Sequence, residues 1–208
     1  MRKEQFGKVT IYQGDCMELM AGLDDKAFDL AVVDPPYGIN VNKMNMGGRT
    51  TVKPSAKQWD IGIPDESYFI ELFRSSKNQV IWGGNYFPLE PSQYFAIWDK
   101  GETMYGRDFA ECEFAWVRSG GTRIHKQSPV DKHRTHPTQK PVKLYDWILS
   151  NYAKPEQRIL DTHLGSGSSA IAAHYAGFDF VGIELDPDYY QAALRRFDLE
   201  TRQESLFI

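Results

Sequence analysis

Ile159-Leu160-Asp161-Thr162-His163-Leu164-Gly165-Ser166-Gly167-Ser168-Ser169-Ala170 runs from a short apolar strand through a glycine turn into a helical stretch. Glycines let the backbone pass close to a ligand, and a helix N-terminus offers unpaired amide groups. Beyond that helix, Phe178-Asp179-Phe180-Val181-Gly182-Ile183-Glu184 reads as a second buried strand that ends in an acid. In nucleotide-like sites an acid at this place grips ribose hydroxyls. Gly165 to Ala170 also satisfies the G-x-G-x-x-G/A dinucleotide fingerprint, so a nicotinamide-binding oxidoreductase stands as an alternative. Only one helical stretch follows Glu184, so strands earlier in the chain must complete the sheet, and the cofactor half is C-terminal.

Working outward, apolar runs predict buried strands at Val9–Tyr12, Phe28–Val33, Gln79–Trp82, Tyr94–Trp98, Cys112–Val117 and Arg158–Leu160, besides Phe178–Ile183. Helical spacing marks Cys16–Leu23 behind an Asp15 cap, Ser67–Ser75, Val142–Tyr152, Ser168–Ala176 and Pro187 to about Glu204. Strands alternating with helices imply an α/β fold, a doubly wound, mainly parallel sheet with helices on both faces. Asn40–Asp60 and Gly120–His136 read as long loops, of the kind that commonly carry function. With 208 residues, 41% of them hydrophobic, the chain has apolar material for one core, so residues 1–208 are read as a single domain.

A second ligand-facing stretch is Asp29-Leu30-Ala31-Val32-Val33-Asp34-Pro35-Pro36-Tyr37-Gly38, a buried strand that stops at an acid, two prolines and an aromatic. The prolines stiffen the backbone and remove two donors, so the Pro35 carbonyl can stand outward as an acceptor beside the Asp34 carboxylate. Two acceptors facing one point suit an exocyclic amine, which presents two N–H donors. Holding both would draw the nitrogen lone pair out of conjugation with its ring. Tyr37 offers a flat face for stacking on a base taken out of its helix. A third stretch is His136-Pro137-Thr138-Gln139-Lys140-Pro141, which enters a helix with Pro141 in its first turn.

Together, the Asp34-Pro35-Pro36-Tyr37 motif, the glycine turn and His136–Pro141 resemble the amino-group DNA methyltransferases that act on N6 of adenine or N4 of cytosine. The catalytic motif precedes the cofactor turn, as in the β class of that family. The resemblance implies a Rossmann-like methyltransferase fold with circularly permuted motif order, S-adenosylmethionine as cofactor and double-stranded DNA as substrate. It implies catalytic roles for Asp34, Pro35, Pro36 and Tyr37. Cofactor contacts are implied for Asp15, Cys16, Asp34, Asp161, His163, Gly165, Ser166, Gly167, Ser168, Glu184 and Leu185, and for Thr138, Gln139 and Lys140 along the methionine part. Tyr189 or Tyr190 would border the adenine of the cofactor. Asp34 favours adenine, because cytosine-N4 enzymes of the family often carry serine there; cytosine N4 is the alternative target. Many members have D-P-F-x-G-S-G-T at the cofactor turn, and His163 replaces the aromatic here. β-class enzymes are often dimers, and the class serves restriction-modification or phage modification.

A net charge of -4 hides a basic stretch from Arg118 to Lys143, where seven cations face the single acid Asp131. Arg118, Arg123, Lys126, Lys132 and Arg134 are the candidate phosphate contacts. With no separate recognition domain, base choice is expected to rest on residues 40–60 and 101–136. No run of apolar residues approaches a membrane span, and the start lacks a secretory signal, so a cytoplasmic protein is expected, in a bacterial cell or a phage-infected host. Cys16 and Cys112 fit neither a disulfide framework nor a zinc site, the histidines show no metal spacing, and no metal is expected. Trp59, Trp82, Trp98, Trp116 and Trp147 mostly sit in apolar patterns and are read as core, with DNA contact as the alternative for Trp59.

Overall fold

The computed structural model describes residues 1–39, 62–107, 110–129 and 138–202. The candidate recognition stretch 40–60, Trp59, Lys132 and Arg134 lie outside them. Within the described residues the strands are β1 (Arg2–Phe6), β2 (Val9–Gln13), β3 (Phe28–Val33), β4 (Ser76–Trp82), β5 (Tyr94–Asp99), β6 (Cys112–Val117), β7 (Arg123–Lys126), β8 (Arg158–Asp161) and β9 (Asp179–Glu184). The helices are α1 (Cys16–Ala21), α2 (Glu66–Ser75), α3 (Val142–Tyr152), α4 (Ser168–Tyr175) and α5 (Pro187–Arg202).

All nine strands form one sheet in the order β1-β2-β9-β8-β3-β4-β6-β5-β7. The run β2-β9-β8-β3-β4 is parallel throughout, and only β1 and β6 run against it. Phe28-Asp29-Leu30-Ala31-Val32-Val33 explains why β3 lies at the centre: it is apolar on both faces, as a strand covered twice has to be. Leu30 and Val32 pack with α3, α4 and α5, in a cluster that includes Leu144, Ile148, Ile171 and Phe197. Ala31 and Val33 pack on the opposite face with Leu19 and Met20 of α1 and Tyr68, Phe69 and Leu72 of α2. Helices therefore cover both faces, and the expected doubly wound architecture is the one observed.

Two strands escape the apolar pattern. β1, Arg2-Lys3-Glu4-Gln5-Phe6, and β7, Arg123-Ile124-His125-Lys126, are the two edges of the sheet and are mostly exposed. Charged side chains suit an edge, where they discourage pairing with another chain. The expected loop Gly120–His136 is thus corrected: it contributes β7, paired in parallel with β5. Likewise residues 101–136 are no continuous loop, since β6 and β7 both fall within them.

The topology decides where chemistry can occur. β2, β3, β4, β8 and β9 all end on one side of the sheet, and β8 lies directly beside β3, with Leu30 opposite Ile159 and Ala31 opposite Leu160. Asp34 and the glycine turn, over a hundred residues apart in sequence, follow from neighbouring strand ends.

Candidate active site

On the cofactor side, β8 delivers Asp161, which is 1% exposed, and the chain then turns through Thr162–Gly167 into α4. Gly165 and Gly167 have φ of 53° and 79°, the left-handed region that glycine tolerates best. Gly167 caps α4 without any side-chain hydrogen bond, so the first-turn amides are not taken by a capping group. Asp161 accepts hydrogen bonds from the Ser169 hydroxyl at 2.5 Å and the His163 amide at 2.9 Å. Burial nevertheless pushes its pKa up to about 7. Glu184 closes the turn from β9, its carboxylate accepting from the amides of Gly165 at 2.8 Å and Asp186 at 2.9 Å, and burial pushes it up to about 7 as well.

Other expected cofactor residues have definite tasks in the fold. Asp15 caps α1 through the Met17 amide at 2.8 Å, and Gly14 bonds the Glu184 carbonyl at 3.0 Å, tying the ends of β2 and β9 together. The Cys16 thiol is raised to about 12, first by burial and then by Asp15, which makes it an inert group at neutral pH. His163 is lowered to about 4 by burial and is therefore neutral; its Nδ1 lies 2.9 Å from the Thr162 hydroxyl. Leu185 is 69% exposed just beyond Glu184, while Gln139 is buried.

The glycine turn is held from beneath. The buried guanidinium of Arg196, on α5, donates to the Ser166 carbonyl at 3.1 Å and to the Ser168 hydroxyl at 2.8 Å. Ser168 in turn donates to the carbonyl of Lys140 at 2.7 Å. Through this hydroxyl the turn is joined to the Thr138–Pro141 stretch that leads into α3.

On the other side, β3 ends in Asp34-Pro35-Pro36-Tyr37, with Pro35 buried. The chain folds back so that the Tyr37 hydroxyl donates to Asp34 Oδ1 at 2.6 Å. Burial, and then the Asp34 carboxylate, hold Tyr37 well above its ordinary pKa, so it is a donor and not a phenolate. One face of its ring is covered by Tyr86, stacked at 4.9 Å between centroids with 11° between planes; the open face expected from sequence is in this respect corrected. The ring fits because position 83 is glycine at φ 67°: a Cβ there would come within 2.2 Å of Tyr37 Cε1.

Lys140 is also placed otherwise than expected. Its side chain, 4% exposed, turns to the Asp34–Tyr37 motif, with Nζ 2.5 Å from Asp34 Oδ2, 3.3 Å from the Tyr37 hydroxyl and 3.3 Å from Glu113 Oε2. Burial works against the ammonium, but Asp34 and Glu113 outweigh it and hold the Lys140 pKa above the ordinary value. Glu113, from β6, also meets Lys100 at 2.8 Å. The sequence reading missed Glu113 and Lys100. The available signal was an acid inside the otherwise apolar run Cys112–Val117, because a charge in such a strand needs a partner.

The three candidate phosphate contacts among the described residues, Arg118, Arg123 and Lys126, are not brought into one patch. Arg118 follows β6 at the far end of the sheet, its amide bonded to the Gln79 carbonyl and its guanidinium 5.6 Å from the Phe73 ring centroid. Arg123 opens β7 towards that same end, opposite Ala96. Lys126 lies at the end of the sheet that carries the site, opposite Asp99, and is paired with Glu102 at 2.7 Å.

The fold sets the glycine turn after β8 beside the Asp34-Pro35-Pro36-Tyr37 motif after β3, and comparison with known proteins gives the family. A DNA methylase family matches residues 52–195, more than half of the chain, and the chain belongs to that family. YubD of Escherichia coli (strain K12), which carries the name of a methylase, is 25% identical over 206 residues, 88% of each chain. The DNA adenine methyltransferase YhdJ of the same organism is 21% identical over 243 residues, covering 91% of this chain and 83% of YhdJ. Among solved structures, the PvuII DNA methyltransferase, cytosine-N4-specific, superposes with a TM-score of 0.61 at 13% identity, covering 93% of this chain and 90% of its own. Family membership sets aside the nicotinamide alternative. No helix among the described residues is long and apolar enough to cross a membrane.

Proposed function

We propose that the protein transfers a methyl group from S-adenosylmethionine to the exocyclic amine of a base flipped out of double-stranded DNA, with N6 of adenine as the target. The observation that carries this reading is the Asp34 carboxylate, set at the end of β3 beside the β8 glycine turn and held by both Lys140 and Tyr37. The donor set suits the cofactor: Asp161 and Glu184 set two carboxylates beside the turn, suited to a ligand that carries positive charge and ribose hydroxyls, and the α4 amides lie at the turn. Asp161, Gly165, Ser166, Gly167 and Glu184 would hold it, with Thr138 and Gln139 along one side. Bound S-adenosylmethionine supplies an electrophilic methyl group on a sulfonium.

The residues of the chain orient the acceptor. Asp34 accepts one N–H of the target amine and the Pro35 carbonyl the other, which frees the nitrogen lone pair for in-line attack. Each Asp34 oxygen already accepts one bond, from Tyr37 or from Lys140, and keeps a second lone pair for the amine. As the new C–N bond forms the amine becomes cationic, and the adjacent Asp34 carboxylate stabilises that charge and receives the proton released. Catalysis on this account is positioning and electrostatics without a covalent enzyme intermediate. Tyr86, half-exposed on Tyr37, marks the slot for a flat ring and turns outward when the base enters.

Adenine is favoured by the acid at position 34 and accords with the name of YhdJ. Cytosine N4 is the second reading, favoured by the likeness to the PvuII enzyme. This chemistry belongs in the cytoplasm, with the DNA of a bacterial cell or phage-infected host, and the resemblance to β-class enzymes, which are often dimers, supports a homodimer as part of the proposal. Transfer of labelled methyl from S-adenosylmethionine to unmethylated DNA, followed by nucleoside mass analysis, tests the reading. N6-methyladenine is expected, and N4-methylcytosine would move the target. Asp34→Ala should abolish transfer and leave cofactor affinity within about threefold; near-normal turnover in that variant would refute the role of Asp34.

A further inference from the structure

Glu113 is the one carboxylate of the described residues that meets the ammonium already bound to Asp34. It lies on β6, opposite Trp98 of β5, on the sheet face that carries α3. Two lysines converge on it, Lys140 at 3.3 Å and Lys100 at 2.8 Å, with side chains only 4% and 12% exposed. Both ammonium groups lie against indole rings, Lys140 at 5.2 Å from the Trp82 centroid and Lys100 at 5.4 Å from that of Trp98, and the two rings meet edge to face. The result is an alternating line of charge, Asp34–Lys140–Glu113–Lys100, two acids and two bases in a poorly hydrated place.

We infer that Glu113 is a positioning residue for methyl transfer, acting through Lys140 on Asp34, with Lys100 as its counter-ion. The inference rests on the reading of Asp34 as the acceptor of the target amine. Lys140 and Lys100 would by themselves set two positive charges against the single carboxylate of Asp34, opposing an amine that turns cationic. Glu113 offsets one of them and holds Lys140, so Lys140 orients Asp34 in a site without excess positive charge. Removing Glu113 leaves two ammonium groups facing one carboxylate, an excess positive charge beside a reaction that builds positive charge. Buried charges are felt strongly because water does not screen them.

The test uses the full-length protein and a charge-balance design. Glu113→Gln keeps the shape and an acceptor oxygen and removes the charge; turnover should fall on the order of a hundredfold. Affinity for S-adenosylmethionine, measured by calorimetry, should stay within about threefold, since the glycine turn is untouched. The alkaline limb of the turnover–pH profile should move to lower pH. Lys140 keeps one carboxylate against burial in place of two, with Asp34, Tyr37, Tyr145 and Asp161 the other titratable groups around it. The double variant Lys100→Met, Glu113→Gln restores equal charge and should recover at least tenfold of the loss, which a merely structural acid would not do. If Glu113→Gln fails to fold, the double variant is read alone: folding with turnover above a tenth of wild type supports the inference, and a protein that is unfolded or inactive overturns it. Normal turnover in Glu113→Gln, or a double variant no better than the single one, also overturns it. Failure of the Asp34 reading would show separately, as an active Asp34→Ala protein.

Discussion

Gly83→Ala probes the packing that sets Tyr37 against Asp34. Two costs arise at this position and can be separated. The first is conformational: an alanine at φ 67° enters the left-handed region, at roughly 1–2 kcal/mol. The second is steric, because the new Cβ would stand 2.2 Å from Tyr37 Cε1, whereas ordinary contact begins at 3.4 Å, so the ring must retreat by about 1.2 Å. Overpacking of this kind costs about 1–3 kcal/mol. A retreat of that size also breaks the 2.6 Å bond from the Tyr37 hydroxyl to Asp34, and displacements near 1 Å can lower turnover on the order of a hundredfold. Gly177→Ala is the control, with φ 74° and nothing within 4 Å of the added methyl group, so it carries the conformational cost alone. Thermal melts of the two variants should differ by roughly 2–12 °C, the lower value belonging to Gly83→Ala. Methyl transfer should fall only in Gly83→Ala, with cofactor affinity unchanged in both. Equal melting temperatures together with equal turnover would refute the claim that glycine is required to admit Tyr37.

Asp161 and Glu184 make the stability of the cofactor-free protein depend on pH. Both carboxyls titrate at about 7 in the folded chain, against ordinary values of 3.8 and 4.5, so the folded state binds the extra protons between about pH 4 and 7. Their contribution is fully present below about pH 4 and is lost as pH rises through 7; Asp161→Asn should flatten that decline in melts from pH 5 to 8, and an unchanged slope would contradict it. A cationic cofactor favours the carboxylate form, so its affinity should rise from pH 6 to 8 in the wild type and less in Asp161→Asn, as read by calorimetry. Arg118→Ala should leave the salt dependence of DNA binding unchanged, because Arg118 sits at the far end of the sheet from Asp34; a slope shallower by about one unit would place DNA there after all.

What could be read in the chain beforehand follows physical lines. β3, β8 and β9 announce themselves because strands covered on both faces have buried, largely apolar centres, Leu30–Val33, Ile159–Leu160 and Phe180–Ile183, followed by an acid and a turn. β1 and β7 do not, because an edge strand is held by its hydrogen bonds on one side and leaves its side chains in water. The Asp34-Pro35-Pro36-Tyr37 motif and the glycine turn were legible as local patterns. The bond from Lys140 to Asp34 was not, since it spans 106 residues and depends on β8 entering the sheet beside β3. The spread of Arg118, Arg123 and Lys126 was hidden for the same reason: residues close in sequence are set apart by β7, which begins at Arg123 and ends at Lys126.

The pairing of β2 with β9 and of β3 with β8 has a consequence for how the protein is made. Each joins segments well over a hundred residues apart, so the centre of the sheet cannot close until the ribosome has delivered residues 158–184. At about 5–20 residues per second, β2 waits roughly 8–35 s for its partner. During that interval β1 and β4 pair with β2 and β3, and α1 and α2 cover one face of β3, but the edges that await β8 and β9 stay open, and the slow, non-local closure makes this the stage at which aggregation competes with folding. Slow translation ahead of β8 would prolong that exposure, whereas slow translation after β9 would leave it unchanged.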